Sequence, residues 1–385
     1  MKKAIINGKI ILKDSILEDK NLIYNQKIMD ILDSSESLGE DVAVLDAKGC
    51  YVSPGLIDIH VHGLAGRDTM DGSIDSIRVI SNEISSNGVT TFLPTSMTMD
   101  LKSVTTALDA VRAAMRGEVL GARVEGVHLE GPFISVDYKG AQNDKYIISP
   151  YYGLVESYKD VIKIITMAPE MDAQFDFINR VKLNESIVLS MGHTGASYDE
   201  AMKAINAGVT CATHLFNAMS GFHHRNPGVV GAALGSDIYC EIIADNLHVH
   251  PMIYDMVGRC KGPEKLILIS DSIRGTCMEE GEYDLGGHRV KVSSQKACLS
   301  DGTLAGSVLR LNEAIRNVKE NSKYSLPQII NMASLNPASL LGIKDTRGSI
   351  DIGKDADLTI LDAEFNVMET LVGGRFTYRR GERIP

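Results

Sequence analysis

The hydrophobic rhythm of this chain changes twice. Over the first fifty residues, short apolar runs alternate with turns in AIINGKIIL, NLIYN, KIMDIL and VAVLDAKGCYV. The closing stretch GSIDIGKDADLTILDAEFNVMETLVGGRFTYRRGE repeats that habit. Short strands punctuated by Gly, Asn and Asp predict antiparallel sheet. Because the two segments flank a different body, they predict one small β-sandwich built from both termini, residues 1–53 and 343–385. Across 54–342 the rhythm becomes strand, turn, helix. Aliphatic runs end near His60, Pro94, Glu130, Ala168, His193, His214, Ala244 and Asp271. Helical stretches such as SIDSIRVISNEISSNG and SYDEAMKAINAG lie between them. Eight such units predict an α/β fold, a (β/α)8 TIM-like barrel inserted into the sandwich. The rival, an open doubly wound sheet, lacks a glycine-rich phosphate fingerprint after its first strand.

Composition narrows the function classes. With 385 residues, 44% of them hydrophobic, the chain can bury one large core and a smaller one. A net charge of -11 and a pI near 5.4 argue against a nucleic-acid surface. An anionic substrate would need a local cationic pocket to overcome that field. No apolar run approaches the ~18–20 residues of a membrane span, and no membrane partner is expected. In MKKAIINGKIILKD, Asn7 and Lys9 interrupt the apolar stretch and no cleavage site follows. Cys50, Cys211, Cys240, Cys260, Cys277 and Cys298 are scattered without paired spacing. They read as reduced thiols of a cytoplasmic protein.

Six residues at predicted strand ends carry the chemistry. They are His60 and His62 in GLIDIHVHG, Glu130 in HLEGPF, His193 in GHTGAS, His214 in THLFNAM and Asp271 in LISDSI. Side chains at the carboxyl ends of barrel strands converge on one mouth. Converging imidazoles and carboxylates suit a divalent metal. His60 and His62 are two apart on a strand and therefore share a face. Taken alone, HxH is as readily a pair of ordinary strand histidines, Glu130 a loop carboxylate and Asp271 a helix cap. Asp58 has the parity to orient an imidazole from behind, and Ser197 can cap the next helix. Asp271 is the candidate general base, able to take a proton from water and pass it to a leaving nitrogen. The expected chemistry is metal-dependent hydrolysis.

Read in order, DIHVHG, HLEGPF, KGAQN, GHTGAS, THLFNAM, ADNLHVHP, SDS, LAGS, NPASLLGI and GSIDIGKDADLTILD resemble the N-acetylglucosamine-6-phosphate deacetylases of the amidohydrolase superfamily. The likeness covers nearly the whole chain. It implies hydrolysis of the N-acetyl group of N-acetyl-D-glucosamine 6-phosphate to glucosamine 6-phosphate and acetate, in amino-sugar catabolism. Glu130 stands where other branches use a carboxylated lysine, which argues against a dihydroorotase or hydantoinase. By resemblance, Glu130, His193 and His214 hold one metal, and His60 and His62 complete a second site bridged by Glu130. Zinc and iron suit this donor set equally, with one or two ions per subunit. The resemblance further implies phosphate contacts at Asn217, Ala218 and Arg225. Sugar and acetyl contacts fall at Asp245 to His248 and at Leu304, Ala305 and Gly306, with Ala141 and Gln142 lining the pocket. Arg225 is expected to reach the neighbouring active site of a homodimer. His223 and His224 beside it could add donors or form a solvated turn. Gln142 departs from the family's common histidine; it can donate to an oxyanion but carries no charge. The loop from Asp137 to Tyr152 could close over substrate.

Three rival readings remain. The galactosamine 6-phosphate epimer fits the same motifs. A non-catalytic amidohydrolase-like protein should have lost ligand positions, and all six stand here. A deaminase or cyclic amidase would use another acid pattern and would not need Arg225.

Overall fold

The computed structural model describes residues 2–117, 119–183 and 186–382. The eight expected barrel strands are present. They are β1 (Leu56–Val61), β2 (Val89–Pro94), β3 (Val127–Glu130), β4 (Ile162–Met167), β5 (Val188–Met191), β6 (Cys211–Ala212), β7 (Tyr239–Ile243) and β8 (Leu266–Ile269). β1 pairs with β2 in parallel, and β3 to β8 form one parallel sheet in chain order. Single parallel bridges close both seams: Thr95 to His128 between β2 and β3, and Val61 to Ser272 between β1 and β8. All six residues of β1 and all six of β2 are buried. Helices cover one side of each strand and side chains fill the other, so these strands are aliphatic almost throughout.

Local sequence sets the helix starts. Ser197 and Glu200 exchange side-chain-to-backbone hydrogen bonds around the first turn of Tyr198–Ala207. Ser73 caps Ile74–Ile84. Each helix places the next strand beside the last, and so fixes which residue stands at the mouth.

Both termini do build one β-sandwich. One sheet has the order Ile28–Asp33, Lys20–Tyr24, Lys3–Ile6, Ala43–Asp46; the other runs Arg375–Arg379, Val367–Val372, Leu358–Leu361, Tyr51–Pro54, Lys9–Ile11, Ile16–Leu17. Ile5, Leu22 and Ile28 of the first sheet pack on Val52, Leu358, Ile360 and Leu371 of the second. The sheets are mixed, where the turn pattern predicts antiparallel pairing alone. Lys3–Ile6 lies parallel to Ala43–Asp46, and Lys9–Ile11 parallel to Tyr51–Pro54. The reason is a shared path. Each of the two stretches passes from one sheet into the other, so they run side by side in the same direction.

A second difference follows β8. Instead of a helix, the chain forms a three-stranded antiparallel sheet from Gly281–Leu285, His288–Val292 and Ala297–Cys298 before the helix Leu311–Asn321. Its signal is in GEYDLGGHRVKV. Leu285, Val290 and Val292 are buried on one face, Glu282, Asp284, Arg289 and Lys291 are exposed on the other, and Gly286–Gly287 make a two-residue turn. The buried face packs on Met97, Ile273 and Ala305 at the barrel mouth.

Candidate metal centre and substrate pocket

All six chemistry-bearing side chains meet at the carboxyl ends of the strands, and all are buried. Glu130 is the hub. Its Oε1 lies 3.4 Å from His60 Nε2, 3.3 Å from His193 Nε2 and 3.1 Å from His214 Nε2. Its Oε2 lies 3.4 Å from His62 Nε2. Asp271 Oδ1 stands 3.4 Å from His60 Nε2 and 3.2 Å from His62 Nε2. Getting them there strains the backbone. His193, His214 and Asp271 have φ of 49°, 30° and 50°, the left-handed region, where a non-glycine residue costs on the order of 1–3 kcal/mol. His60 in β1 and His62 just past its end need no such turn, and the alternation of the strand aims both.

The surrounding bonds choose the tautomers. His60 Nδ1 is 3.1 Å from Glu241 Oε2, and His193 Nδ1 is 3.1 Å from the Tyr138 carbonyl. Both partners only accept, so each Nδ1 carries the proton and each Nε2 presents a lone pair toward Glu130. The Nε2 atoms of His193 and His214 lie 3.2 Å apart. The lone pairs of His60 and His193 Nε2 facing the Glu130 carboxylate repel it unless a cation sits among them. The donor set therefore fits a divalent metal: His60, His62 and Glu130 form one group able to hold an ion, and Glu130, His193 and His214 another. Protonation answers the same demand. Burial alone would lower the imidazoles, but the carboxylates of Glu130 and Asp271 override it, holding His60 well above its usual range and His62 at about 9. Burial likewise works against ionised Asp271, yet the imidazoles of His60 and His62 bring its carboxyl down to about 2.

Asp58 does not touch the His60 ring. Its Oδ1 accepts from the backbone N–H groups of His60 and Ser270, each at 3.3 Å, tying β1 to β8. Glu241 of β7 holds the ring instead, and the same oxygen accepts from the His214 N–H at 3.2 Å. Glu241 lies outside the strand-end pattern that marks the other six residues. Its signal was an acid inside the aliphatic run YCEII, fully buried and therefore in need of partners.

A cavity of about 370 Å³ opens over the centre, lined among others by Ala141, Gln142, Asn217, Ala218, His248, Leu304 and Gly306. Ala305 packs away from it, against Ile273. Asp245 stands behind His248: its Oδ2 is 2.6 Å from His248 Nδ1. Burial opposes the charged imidazole, but Asp245 outweighs this and raises it. A side chain at Gly306, with φ of 57°, would meet Ile273 at 2.5 Å and the Asp271 carbonyl at 3.0 Å, so only glycine lets this loop pass the candidate base. No lysine or arginine lines the cavity among the described residues. Arg225 lies outside it, in an exposed turn, 2.8 Å from His224 Nε2. Tyr138 and Asp137 form part of the wall, so the loop that starts at Asp137 stands against the site. No helix is long and apolar enough to cross a membrane among the described residues.

The sequence profile of the amidohydrolase family matches residues 51–377. An N-acetylglucosamine-6-phosphate deacetylase of Bacillus subtilis is 43% identical over 333 residues, 84% of each chain. An N-acetylgalactosamine-6-phosphate deacetylase of Escherichia coli O157:H7 is 32% identical over 339 residues, 87% of this chain and 89% of that one. A crystal structure of N-acetylglucosamine-6-phosphate deacetylase from Pasteurella multocida has a TM-score of 0.93 at 32% identity, covering 98% of this chain and 99% of that one.

Proposed function

We propose, from a chain that belongs to the amidohydrolase family and groups with its N-acetylglucosamine-6-phosphate deacetylases, that this protein hydrolyses the acetamido group of N-acetyl-D-glucosamine 6-phosphate. The products are glucosamine 6-phosphate and acetate. One observation carries the reading: a buried carboxylate ringed by four imidazole Nε2 atoms, with a second carboxylate at its edge and a sugar-sized cavity above. In this reading the barrel over 54–342 does the chemistry, while 1–53 and 343–385 form the sandwich domain.

Glu130, His193 and His214 would hold one divalent cation, and His60 and His62, sharing Glu130, a second. Zinc and iron both suit these donors. When bound, the metal supplies an acidified water and a polarised amide carbonyl. Asp271 does the proton work. Its carboxylate accepts a proton as water oxygen bonds to the acetyl carbon, then delivers it to the sugar nitrogen as the C–N bond breaks. Glu241 keeps the His60 ring in register, and Asp245 keeps His248 aimed into the pocket. Ala141, Gln142, Asn217, Ala218, Leu304 and Gly306 line the sugar's place, with Ala305 shaping the loop behind them.

The phosphate needs more charge than His248 alone. Because no arginine or lysine lines the cavity among the described residues, Arg225 of a second copy is the proposed phosphate contact, in a homodimer. Exposed apolar neighbours support that: Phe222 in the same turn is 60% exposed and Leu247 beside His248 47%. His223 and His224 are solvated within one copy. Six unpaired cysteines support a reducing, cytoplasmic setting. A second reading, the galactosamine epimer as substrate, is supported by the Escherichia coli relative. The test is acetate release from phosphorylated and unphosphorylated N-acetylhexosamines after metal analysis. Selective turnover of the glucosamine phosphate is expected; selective turnover of the galactosamine phosphate favours the second reading. No acetate from any of them overturns both.

A further inference from the structure

Glu130 is a shared ligand in the two-metal reading, and a carboxylate's terminal torsion is broad and soft. Something must decide which oxygen faces which imidazoles. The loop residue Gln142, 3% exposed, is in contact with it. Its Nε2 donates to Glu130 Oε2 at 2.6 Å, and its Oε1 accepts from the Thr98 N–H at 2.6 Å. Both partners dictate the amide's orientation: Thr98 N–H can only donate, and a carboxylate oxygen only accepts. Gln142 touches only one side of the hub. Oε2 is the oxygen beside His62, whereas Oε1 faces His60, His193 and His214. The other half has its own brace, the Tyr138 carbonyl on His193.

We infer that Gln142 is a positioning residue that sets metal affinity chiefly at the His60–His62 half of the centre by fixing Glu130 Oε2. This rests on the proposed two-metal reading. The role differs from a substrate contact, because the amide oxygen is already committed to Thr98. It gives a use to glutamine at this place: a neutral donor pins the carboxylate without adding a charge that would repel a cation nearby. Without that hydrogen bond Oε2 can swing away from His62, while Oε1 still faces the imidazoles of His60, His193 and His214.

The experiment measures zinc equivalents by mass spectrometry and zinc affinity by chelator competition, on wild type, Gln142→Met and Gln142→His. Wild type should take up two equivalents. Gln142→Met, similar in length but without the amide, should keep one tight equivalent and hold the other roughly 10–100-fold more weakly, the usual loss when a ligand's supporting hydrogen bond is removed. Gln142→His, which keeps an N–H donor, should recover part of that loss. Unfolding of the metal-free proteins checks that they fold. Should Gln142→Met not fold, Gln142→Asn, too short to reach Glu130, takes its place. Unchanged affinity of the weaker equivalent, equal weakening of both, or a histidine variant no better than methionine would overturn the role of Gln142. Wild type that binds fewer than two equivalents would overturn the two-metal reading itself, before any variant is compared.

Discussion

The two halves of the centre are built by different means. His60 lies in β1 and His62 one residue beyond its end, two apart along the chain, so the strand's alternation points them the same way. His193 and His214 come from different strands, and each turns through a left-handed backbone conformation to face Glu130. The first half is local geometry. The second depends on barrel register, on two strained residues and on the packing that holds them there. Strained backbone persists only where surrounding structure over-determines it. So the His193–His214 half should be the more sensitive to losses in the barrel, and the His60–His62 half to losses of the side chains that brace it.

Breaking the hub removes the comparison altogether. Glu130→Gln should release metal from both halves and lower turnover roughly 10⁴-fold, equivalent to ~5–6 kcal/mol of barrier. Metal content by mass spectrometry and acetate release check it; a variant with full metal takes Glu130 out of the hub. Asp271→Asn leaves both halves in place and should lose ~10²–10⁴-fold in turnover with metal retained, because an amide cannot accept the proton. Turnover within a few-fold of wild type would remove Asp271 from the mechanism.

Setting His193→Ala beside His60→Ala sharpens the comparison directly. The first should strip the ion held with His214 and most activity; the second should leave that ion in place and cost less. Equal losses in metal content would show that the halves act as one unit. A smaller effect tests the phosphate end. Arg225→Ala should raise KM for the phosphorylated sugar about ten- to a hundred-fold, the worth of ~1.5–3 kcal/mol in a charge-assisted contact, and leave the unphosphorylated sugar unchanged. Mixed dimers of Arg225→Ala and Asp271→Asn chains should regain activity if the arginine crosses between copies; none, with exchange confirmed, places it in its own chain's pocket. The smallest effect is expected from Glu241→Gln. The amide still accepts from His60 Nδ1 but gives up the charge, so zinc affinity at the His60–His62 half should fall roughly tenfold. Equal weakening at His193–His214 would show that its bond to the His214 N–H binds the halves together.

Much of this protein is legible in residue order. Short apolar runs separated by turn residues at the ends and strand–helix alternation between them declare a sandwich wrapped on a barrel, because each element must bury an apolar face. Candidate ligand residues are visible because each polar side chain follows an aliphatic strand at its carboxyl end, and barrel topology sends all such ends to one mouth. Asp271, His193 and His214 could be named that way, and Ser197 as a helix cap.

What residue order left open is decided by contacts between distant segments. On paper Asp58 is the support for an imidazole, and only barrel closure brings Glu241 to the His60 ring while Asp58 turns to backbone amides. Gln142 reads as a pocket residue and does line the cavity, but only the folding of its loop sets its amide between Thr98 and Glu130. The parallel pairings of the sandwich escape a turn-by-turn reading, since pairing direction depends on how two remote stretches run in space. Arg225 is the extreme case: its turn is plain in the sequence, but its absence from the chain's own cavity is a fact of tertiary structure. Periodicity reports which side of an element is buried; which partner lies against it is settled by the closing of the chain.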